Sequence, residues 1–263
     1  MEPTAYLNEY YGNYDEDNRL YSRHGSVEFL TTMRYIGKYV KPGDRVLEIG
    51  AGTGRYSHAL ARSGYAVDAV ELIERNIDVF RERTEPGETV TIAQGNALDL
   101  SAYPDAGYDI TLLLGPMYHL FTEEDKEKAL REAVRVTKRG GVVFVAYCIS
   151  DSSILYYGFA DGHIHELLEK KMVDTQTFKA FSNPWDLFDL HRKEDIDALM
   201  EGFAAERLHY VAADGVSCHP GMRNALAAMD EDTFALYLQY HFATCERPDF
   251  VGLTNHALDI FRV

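Results

Sequence analysis

The strongest chemical signal in the sequence is a glycine-rich turn that follows a short apolar segment. Residues 46–56 read VLEIGAGTGRY, so the acid Glu48 precedes Gly50, Gly52 and Gly54 and then a candidate helix. Glycine suits such a turn because it adopts positive φ angles and lets the backbone approach a ligand closely. The following helix offers unpaired N–H groups and the positive end of its dipole. The segment is therefore predicted to bind a nucleotide-like cofactor.

The spacing of these glycines favours one class of cofactor. The dinucleotide fingerprint is GxGxxG, whereas this chain has GxGxG followed by Arg55. At this motif the chain resembles the class I S-adenosylmethionine-dependent methyltransferases, whose first motif is an acid, any residue and then GxGxG. The resemblance implies S-adenosylmethionine as the cofactor, with Glu48, Gly50, Gly52 and Gly54 in its binding site.

An acid at the end of the second predicted strand extends this site. Glu71 follows the glycine turn by about 20 residues, the distance at which a carboxylate accepts hydrogen bonds from ribose hydroxyls in dinucleotide-binding folds. The resemblance gives Glu71 the ribose-binding role and places its neighbour Leu72 in the same site.

A third segment is predicted to lie beside the adenine. Residues 94–100 read QGNALDL and look like the family's GDAxxL segment, with Asn96 where Asp is usual. The resemblance assigns Asn96 and Ala97 to the cofactor site, and an Asn carbonyl can accept a hydrogen bond from the adenine amine. Asp99 is the competing acceptor, and it can equally cap a turn.

The end of the fourth predicted strand is the expected position of the chemistry. Residues 112–121 read LLLGPMYHLF, and the end of this strand lies at the switch point of an open parallel sheet, so Leu114 should face the transferable methyl group. The stretch faintly resembles the (D/N)PPY motif of amino-group methyltransferases, but Gly115 replaces the residue that would hold a planar amine. Tyr118 and His119 are the candidates for contacting or deprotonating the acceptor, and packed structural roles remain open for both.

Short apolar runs that alternate with amphipathic segments predict the elements that position these residues. The fold class is α/β: a Rossmann-like, doubly wound, mostly parallel seven-stranded sheet with helices on both faces and an inserted cap. By the resemblance, the last strand is antiparallel. The predicted strands are 45–49, 66–70, 89–93, 109–114, 142–147, 207–212 and 257–263. The predicted helices are one around 27–40, then 56–63, 74–83, 123–137 and 193–200.

Four segments follow from this pattern. They are an N-terminal lid and helix at 1–40, a cofactor-binding core at 41–150, an inserted cap at 151–190, and a C-terminal part of the core at 191–263 with a helical insert near 216–250. The tyrosine-rich stretch 6–21 reads equally as a lid over a ligand and as a surface arm. The cap contains many aromatic residues, including Trp185, and is predicted to form the acceptor chamber together with Tyr118 and His119.

Composition argues against several classes of partner. The chain has 26 basic and 42 acidic residues, a formal net charge of −16 that repels nucleic acids and anionic membranes. Three cysteines without a CxxC pair indicate neither a disulfide framework nor a zinc knuckle. The HxH pair of His163 and His165 has no further ligand at metal spacing, so no metal site is predicted. With no apolar leader or membrane-spanning run, the chain is predicted to be cytoplasmic.

Together these features predict a methyltransferase that moves a methyl group from S-adenosylmethionine to a small-molecule acceptor, working as a monomer or a homodimer. A sulfonium donor is already activated, so the main task is to hold the nucleophile in line with the methyl carbon. The alternatives are a nicotinamide-dependent oxidoreductase of Rossmann type, a noncatalytic ligand-binding module, and a methyltransferase acting on RNA or protein. The sequence leaves the acceptor atom open.

Overall fold

The computed structural model describes residues 6–7, 22–184 and 187–263, and one mixed sheet organises them. The predicted lid or arm at 6–21 and the cap residue Trp185 therefore lie almost entirely outside the described residues. The strands are β1 (Arg45–Ile49), β2 (Ala66–Glu71), β3 (Val90–Gln94), β4 (Tyr108–Leu113), β5 (Thr137–Ile149), β6 (Leu190–His191), β7 (Glu206–Ala212) and β8 (His256–Arg262).

Seven strands lie in the order β3-β2-β1-β4-β5-β8-β7. All neighbours are parallel except β8, which is antiparallel to both β5 and β7. The central strands β1, β4 and β5 consist largely of buried apolar residues, as strands covered on both faces must. The predicted Rossmann-like sheet and its antiparallel last strand are confirmed.

Helices flank the sheet, and the longer ones lie near their predicted places. They are α1 (Arg23–Tyr39), α2 (Arg55–Arg62), α3 (Glu74–Arg83), α4 (Glu123–Val136), α5 (Ser150–Ser153), α6 (Ile164–Glu169), α7 (Lys193–Glu201), α8 (Pro220–Ala228), α9 (Glu231–Thr244) and α10 (Pro248–Val251). The predicted helical insert contains α8 and α9. Asp230 lies between them and caps the start of α9, where its side chain accepts the Thr233 N–H at 2.7 Å. No helix in the described ranges is long and apolar enough to span a membrane.

The two-residue strand β6 is an addition to the predicted seven. It pairs with Cys148 and Ile149 at the end of β5, while Cys148 also pairs with His256 of β8 on the other edge. The pattern could not predict β6 because two residues carry no periodicity. The segment 151–190 therefore begins just after β5 and ends at β6, which pairs with the same end of β5.

A buried polar cluster anchors this return. Lys126 of α4 forms an ion pair with Asp189, and His191 Nε2 lies 3.2 Å from the same carboxylate oxygen. The His191 ring meets Tyr147 edge-on at 5.2 Å between centroids. Burial, reinforced by the Lys126 charge, lowers the pKa of His191 to about 3. The folded protein therefore holds His191 neutral at physiological pH.

A buried neutral histidine makes stability depend on pH in one direction. The unfolded chain takes up this proton below about pH 6.5, whereas folded His191 does not until about pH 3. Unfolding free energy should therefore fall as the pH falls from 6.5, by about 1.4 kcal/mol per pH unit for this group. We expect His191→Gln to reduce the difference between the free energies of unfolding measured with urea at pH 7 and at pH 5, because it removes the contribution of this group. The exposed His165→Gln is the matched control, and equal pH dependence in all three proteins would contradict the assignment.

Candidate active site

The carboxyl ends of β1, β2, β4 and β5 open into one cavity of about 1300 Å³. Ligand pockets usually measure about 300–1,000 Å³, so this cavity exceeds the space that one small ligand needs. The loop after β1 lines one end of it, and the segment 151–190 lines the other.

The glycine loop owes its shape to three positive φ angles. Gly50 has φ 75°, and a Cβ there would lie 2.6 Å from the Pro116 ring. Gly54 has φ 90°, and its Cβ would lie 2.5 Å from the Phe80 ring. Gly52 has φ 54°, and no atom lies within 4 Å of its Cβ position. Gly50 and Gly52 line the cavity, whereas Gly54 packs behind the loop at the start of α2.

Glu71 connects the end of β2 to the glycine loop. Its Oε2 accepts the Gly52 N–H at 2.8 Å, and its Oε1 accepts the Ile73 N–H at 2.9 Å and the Asn76 amide at 3.2 Å. Burial raises the pKa of Glu71, and these hydrogen bonds oppose the rise. A carboxylate has about four acceptor positions and three are occupied here, so Oε2 keeps one position at the cavity wall for a ribose hydroxyl.

Glu48, the predicted acid before the glycines, is buried, and burial favours its protonated form. Glu48 is 2% exposed and accepts a hydrogen bond from the Ser57 hydroxyl of α2. Burial raises the pKa of Glu48 to about 8, the Ser57 bonds oppose this, and the Glu71 charge adds a smaller rise. Near neutral pH Glu48 is mostly a neutral carboxylic acid, which can donate a hydrogen bond into the cavity that it lines.

The remaining predicted cofactor residues line the same end of the cavity: Leu72, Asn96, Ala97 and Leu114. The Asn96 side-chain oxygen accepts the Leu98 N–H at 3.0 Å, and an amide oxygen has a second lone pair for a ligand. Asp99 accepts the Ser101 N–H at 3.0 Å in an exposed turn. Of the two readings of Asp99, the geometry matches the turn cap.

Tyr118 and His119 also line the cavity, at the end of the 3₁₀ turn Pro116–Tyr118. His119 Nδ1 lies 2.8 Å from the Leu187 carbonyl, which only accepts, so Nδ1 carries the proton. Burial lowers the pKa of His119, so the ring is neutral and Nε2 is its unprotonated nitrogen. The Tyr118 ring contacts both His119 and His256, at 6.3 and 5.6 Å between centroids.

The segment 151–190 covers this end of the cavity with mostly apolar side chains. Those that line it include Ile154, Tyr157, Leu167, Met172, Val173 and Phe181. In this segment the His163 ring stacks on Tyr157 at 4.2 Å between centroids, and His163 Nδ1 lies 3.4 Å from the Glu166 carboxylate.

The sequence analysis missed a polar cluster in the same cavity wall. Glu28 of α1 and His256 of β8 line the cavity, and Asp214 lies directly behind His256. Among the described residues, these three form the one group with metal-ligand spacing. They come from distant parts of the chain, so no motif links them. The available signal was topological, because antiparallel pairing of β7 and β8 brings the residues that follow β7 beside the first residue of β8.

Comparisons with known proteins agree with this geometry. A family model described as a methyltransferase domain matches residues 47–145. A ubiquinone/menaquinone biosynthesis C-methyltransferase from Stenotrophomonas maltophilia is 31% identical over 228 residues, 80% of this chain and 85% of that protein. A demethylmenaquinone methyltransferase from Clavibacter sepedonicus is 31% identical over 143 residues, which cover 54% of this chain. That match spans about half of the relative's length, 56%.

Solved structures show the same fold at lower identity. The CcbJ methyltransferase from Streptomyces caelestis has a TM-score of 0.62 at 15% identity, covering 100% of this chain and 99% of that one. At that identity the likeness concerns the fold alone.

The geometry of Glu71 generates a test of the cofactor site. Glu71→Gln keeps the side chain's size but removes the charge and places an NH₂ where an acceptor is needed. We expect affinity for S-adenosylhomocysteine to fall by about 1–3 kcal/mol in calorimetry, the cost of losing a hydrogen bond to a charged group. Asp99→Asn, in the exposed turn outside the cavity, is the matched control and should bind like wild type. An unchanged dissociation constant for Glu71→Gln would remove Glu71 from the site.

Proposed function

This chain belongs to the class I S-adenosylmethionine-dependent methyltransferases, and on that premise we propose that it methylates a small molecule held beneath the segment 151–190. The observation that carries the proposal is the continuous cavity, because the glycine loop and the apolar segment face the same space. A donor at one end and an acceptor at the other would then meet near Leu114.

The residues at the first end fit the family's cofactor. Gly52 exposes bare backbone, Glu71 offers a buried carboxylate for the ribose, and Asn96 offers an amide for the adenine. When bound, S-adenosylmethionine supplies a methyl group on a sulfonium that needs no further activation. The protein's task is then to orient the acceptor and exclude water, which the buried walls of the cavity do.

At the second end, the side chains favour an apolar ring that carries a hydroxyl group. Ile154, Leu167 and Met172 offer apolar contacts, and the neutral ring of His119 at the cavity wall supports a hydrogen bond from a hydroxyl group. The two relatives named above are quinone-biosynthesis and demethylmenaquinone methyltransferases, which supports a ring of this kind. The formal net charge of −16 supports a small molecule over a nucleic acid.

A small acceptor panel tests this function. Purified protein would be incubated with S-adenosylmethionine and 1,4-naphthohydroquinone, catechol or sarcosine, and S-adenosylhomocysteine would be measured by mass spectrometry. We expect turnover with the hydroxylated rings and none with sarcosine, whose charged amine the apolar wall does not match. Turnover with sarcosine alone would contradict the acceptor class. Tight NAD binding without S-adenosylhomocysteine binding would contradict the function itself.

His119 is proposed to position the acceptor, because its neutral ring can accept a hydrogen bond from a hydroxyl. His119→Ala should raise the KM for the acceptor about tenfold, the equivalent of one hydrogen bond of about 1.4 kcal/mol. His119→Gln, which retains an acceptor oxygen, should recover part of that loss. Affinity for S-adenosylhomocysteine should stay unchanged in both. An unaltered KM in His119→Ala would assign His119 to packing only.

A further inference from the structure

The cluster of Glu28, His256 and Asp214 borders the acceptor end of the cavity, and the proposed function does not yet use it. We propose that this cluster takes up the proton released in methyl transfer, with Glu28 as the catalytic base and His256 and Asp214 as positioning residues. The inference rests on the proposed function and deepens it, since it requires an acceptor whose nucleophilic atom bears a proton, such as a ring hydroxyl.

Asp214 is fixed by hydrogen bonds from every side. Its Oδ1 accepts from the Thr254 hydroxyl at 2.6 Å and from the N–H groups of Asn255 and His256 at 2.9 and 3.0 Å. Its Oδ2 accepts from His256 Nδ1 at 2.8 Å. A fully buried carboxylate with these donors cannot move toward a ligand. It serves to hold the imidazole of His256 in one orientation.

Glu28 brings a second carboxylate to the same imidazole. Its Oε2 lies 3.4 Å from His256 Nδ1, and unlike Asp214 it lines the cavity. Glu28 projects from α1, which packs outside the sheet, while His256 begins β8 within it. Of the two carboxylates in the cluster, Glu28 is therefore the one that a bound acceptor can touch.

Charge explains why the cluster favours taking up a proton. Burial disfavours the charged imidazole, but Glu28 and Asp214 together outweigh burial and hold the pKa of His256 well above its usual value. Burial also acts on Asp214, yet the His256 charge and the hydrogen bonds above lower its pKa. Two carboxylates and one imidazolium leave one net negative charge in a largely buried group, and protonating Glu28 removes it.

Three further groups face His256 and belong to the same environment. Cys148 is its cross-strand partner on β5 and a hydrogen-bonding neighbour, Tyr118 of the 3₁₀ turn contacts its ring, and the Asn255 amide lies 3.5 Å from Nδ1. His119, by contrast, is a weak base, because burial lowers its pKa. The cluster instead has a carboxylate at the cavity wall beside the fixed His256 ring.

The step balances in atoms and in charge. The acceptor oxygen bonds to the methyl carbon as the carbon–sulfur bond breaks, the electron pair of that bond stays on sulfur, and the hydroxyl proton moves to Glu28. The sulfonium charge and the net negative charge of the cluster disappear together. The buried chamber therefore never has to hold an uncompensated charge, which a low-dielectric site strongly disfavours.

The direct test uses a chromophoric phenol, 4-nitrophenol, bound to protein loaded with sinefungin, an analogue with an ammonium group near the sulfonium position. At a pH where the free probe is a neutral phenol, its hydroxyl group should donate a hydrogen bond to Glu28, and Glu28→Ala should weaken its binding about tenfold in an absorbance titration. Equal affinity in Glu28→Ala would remove Glu28 from the acceptor site. Glu127→Gln, in the exposed ion pair with Arg131 on α4 and outside the cavity, is the matched control and should behave like wild type.

Turnover gives a second readout, with 1,4-naphthohydroquinone as the probe. Glu28→Gln should lower kcat by about 10²-fold or more, the usual effect of losing a general base, and leave the KM for S-adenosylmethionine unchanged. If Glu28→Gln does not fold, Glu28→Asp, which keeps a carboxylate, should show a smaller loss of kcat.

Different failures point to different claims. Wild-type protein that neither binds S-adenosylhomocysteine nor turns over any acceptor contradicts the proposed function. Wild-type turnover combined with an unchanged kcat in Glu28→Gln overturns the cluster's role alone. Activity that is lost with EDTA and restored by Zn²⁺ also overturns it, because the three residues would then be metal ligands.

Discussion

The close contact between the glycine loop and the turn after β4 is the constraint on which the site depends. A Cβ at Gly50 would lie 2.6 Å from the Pro116 ring, so the two loops meet without a side chain between them. Parallel neighbours β1 and β4 bring these loops to one edge of the sheet. The Glu71 carboxylate fixes the other side of the loop by accepting the Gly52 N–H. Cofactor-side and acceptor-side residues thereby share one cavity.

Most of the sheet could be predicted because its residues carry local signals. Strand β1 and helix α3 match their predicted bounds, since buried strands read as apolar runs and glycines mark the turns. The predicted cofactor residues gather at one end of the cavity, apart from Gly54, whose missing Cβ makes room for Phe80 instead of a ligand. Their assignment to the cofactor remains a prediction that the geometry supports.

What could not be predicted arises from contacts between distant residues. The burial of His191 beside Lys126 joins two elements that no sequence pattern connects. The cluster of Glu28, Asp214 and His256 likewise joins α1, the end of β7 and the start of β8. The histidine that the sequence did suggest, His119, is desolvated and donates Nδ1–H to the Leu187 carbonyl. The position after the fourth strand led to the prediction that His119 contacts the acceptor. Only the three-dimensional neighbours show that burial lowers the pKa of His119 whereas two carboxylates raise the pKa of His256.

The pairing of Leu190 and His191 with Cys148 and Ile149 also bears on how such an enzyme can diversify. The segment 151–190 begins and ends at neighbouring strands, which lie about 4.8 Å apart. The entropy of closing such a loop grows slowly, by about 0.6 kcal/mol for each doubling of length. The segment can therefore change its length or its side chains over evolutionary time at a small cost in the stability of the sheet. New acceptors would be accommodated by exchanging this one segment while the donor pocket is inherited unchanged.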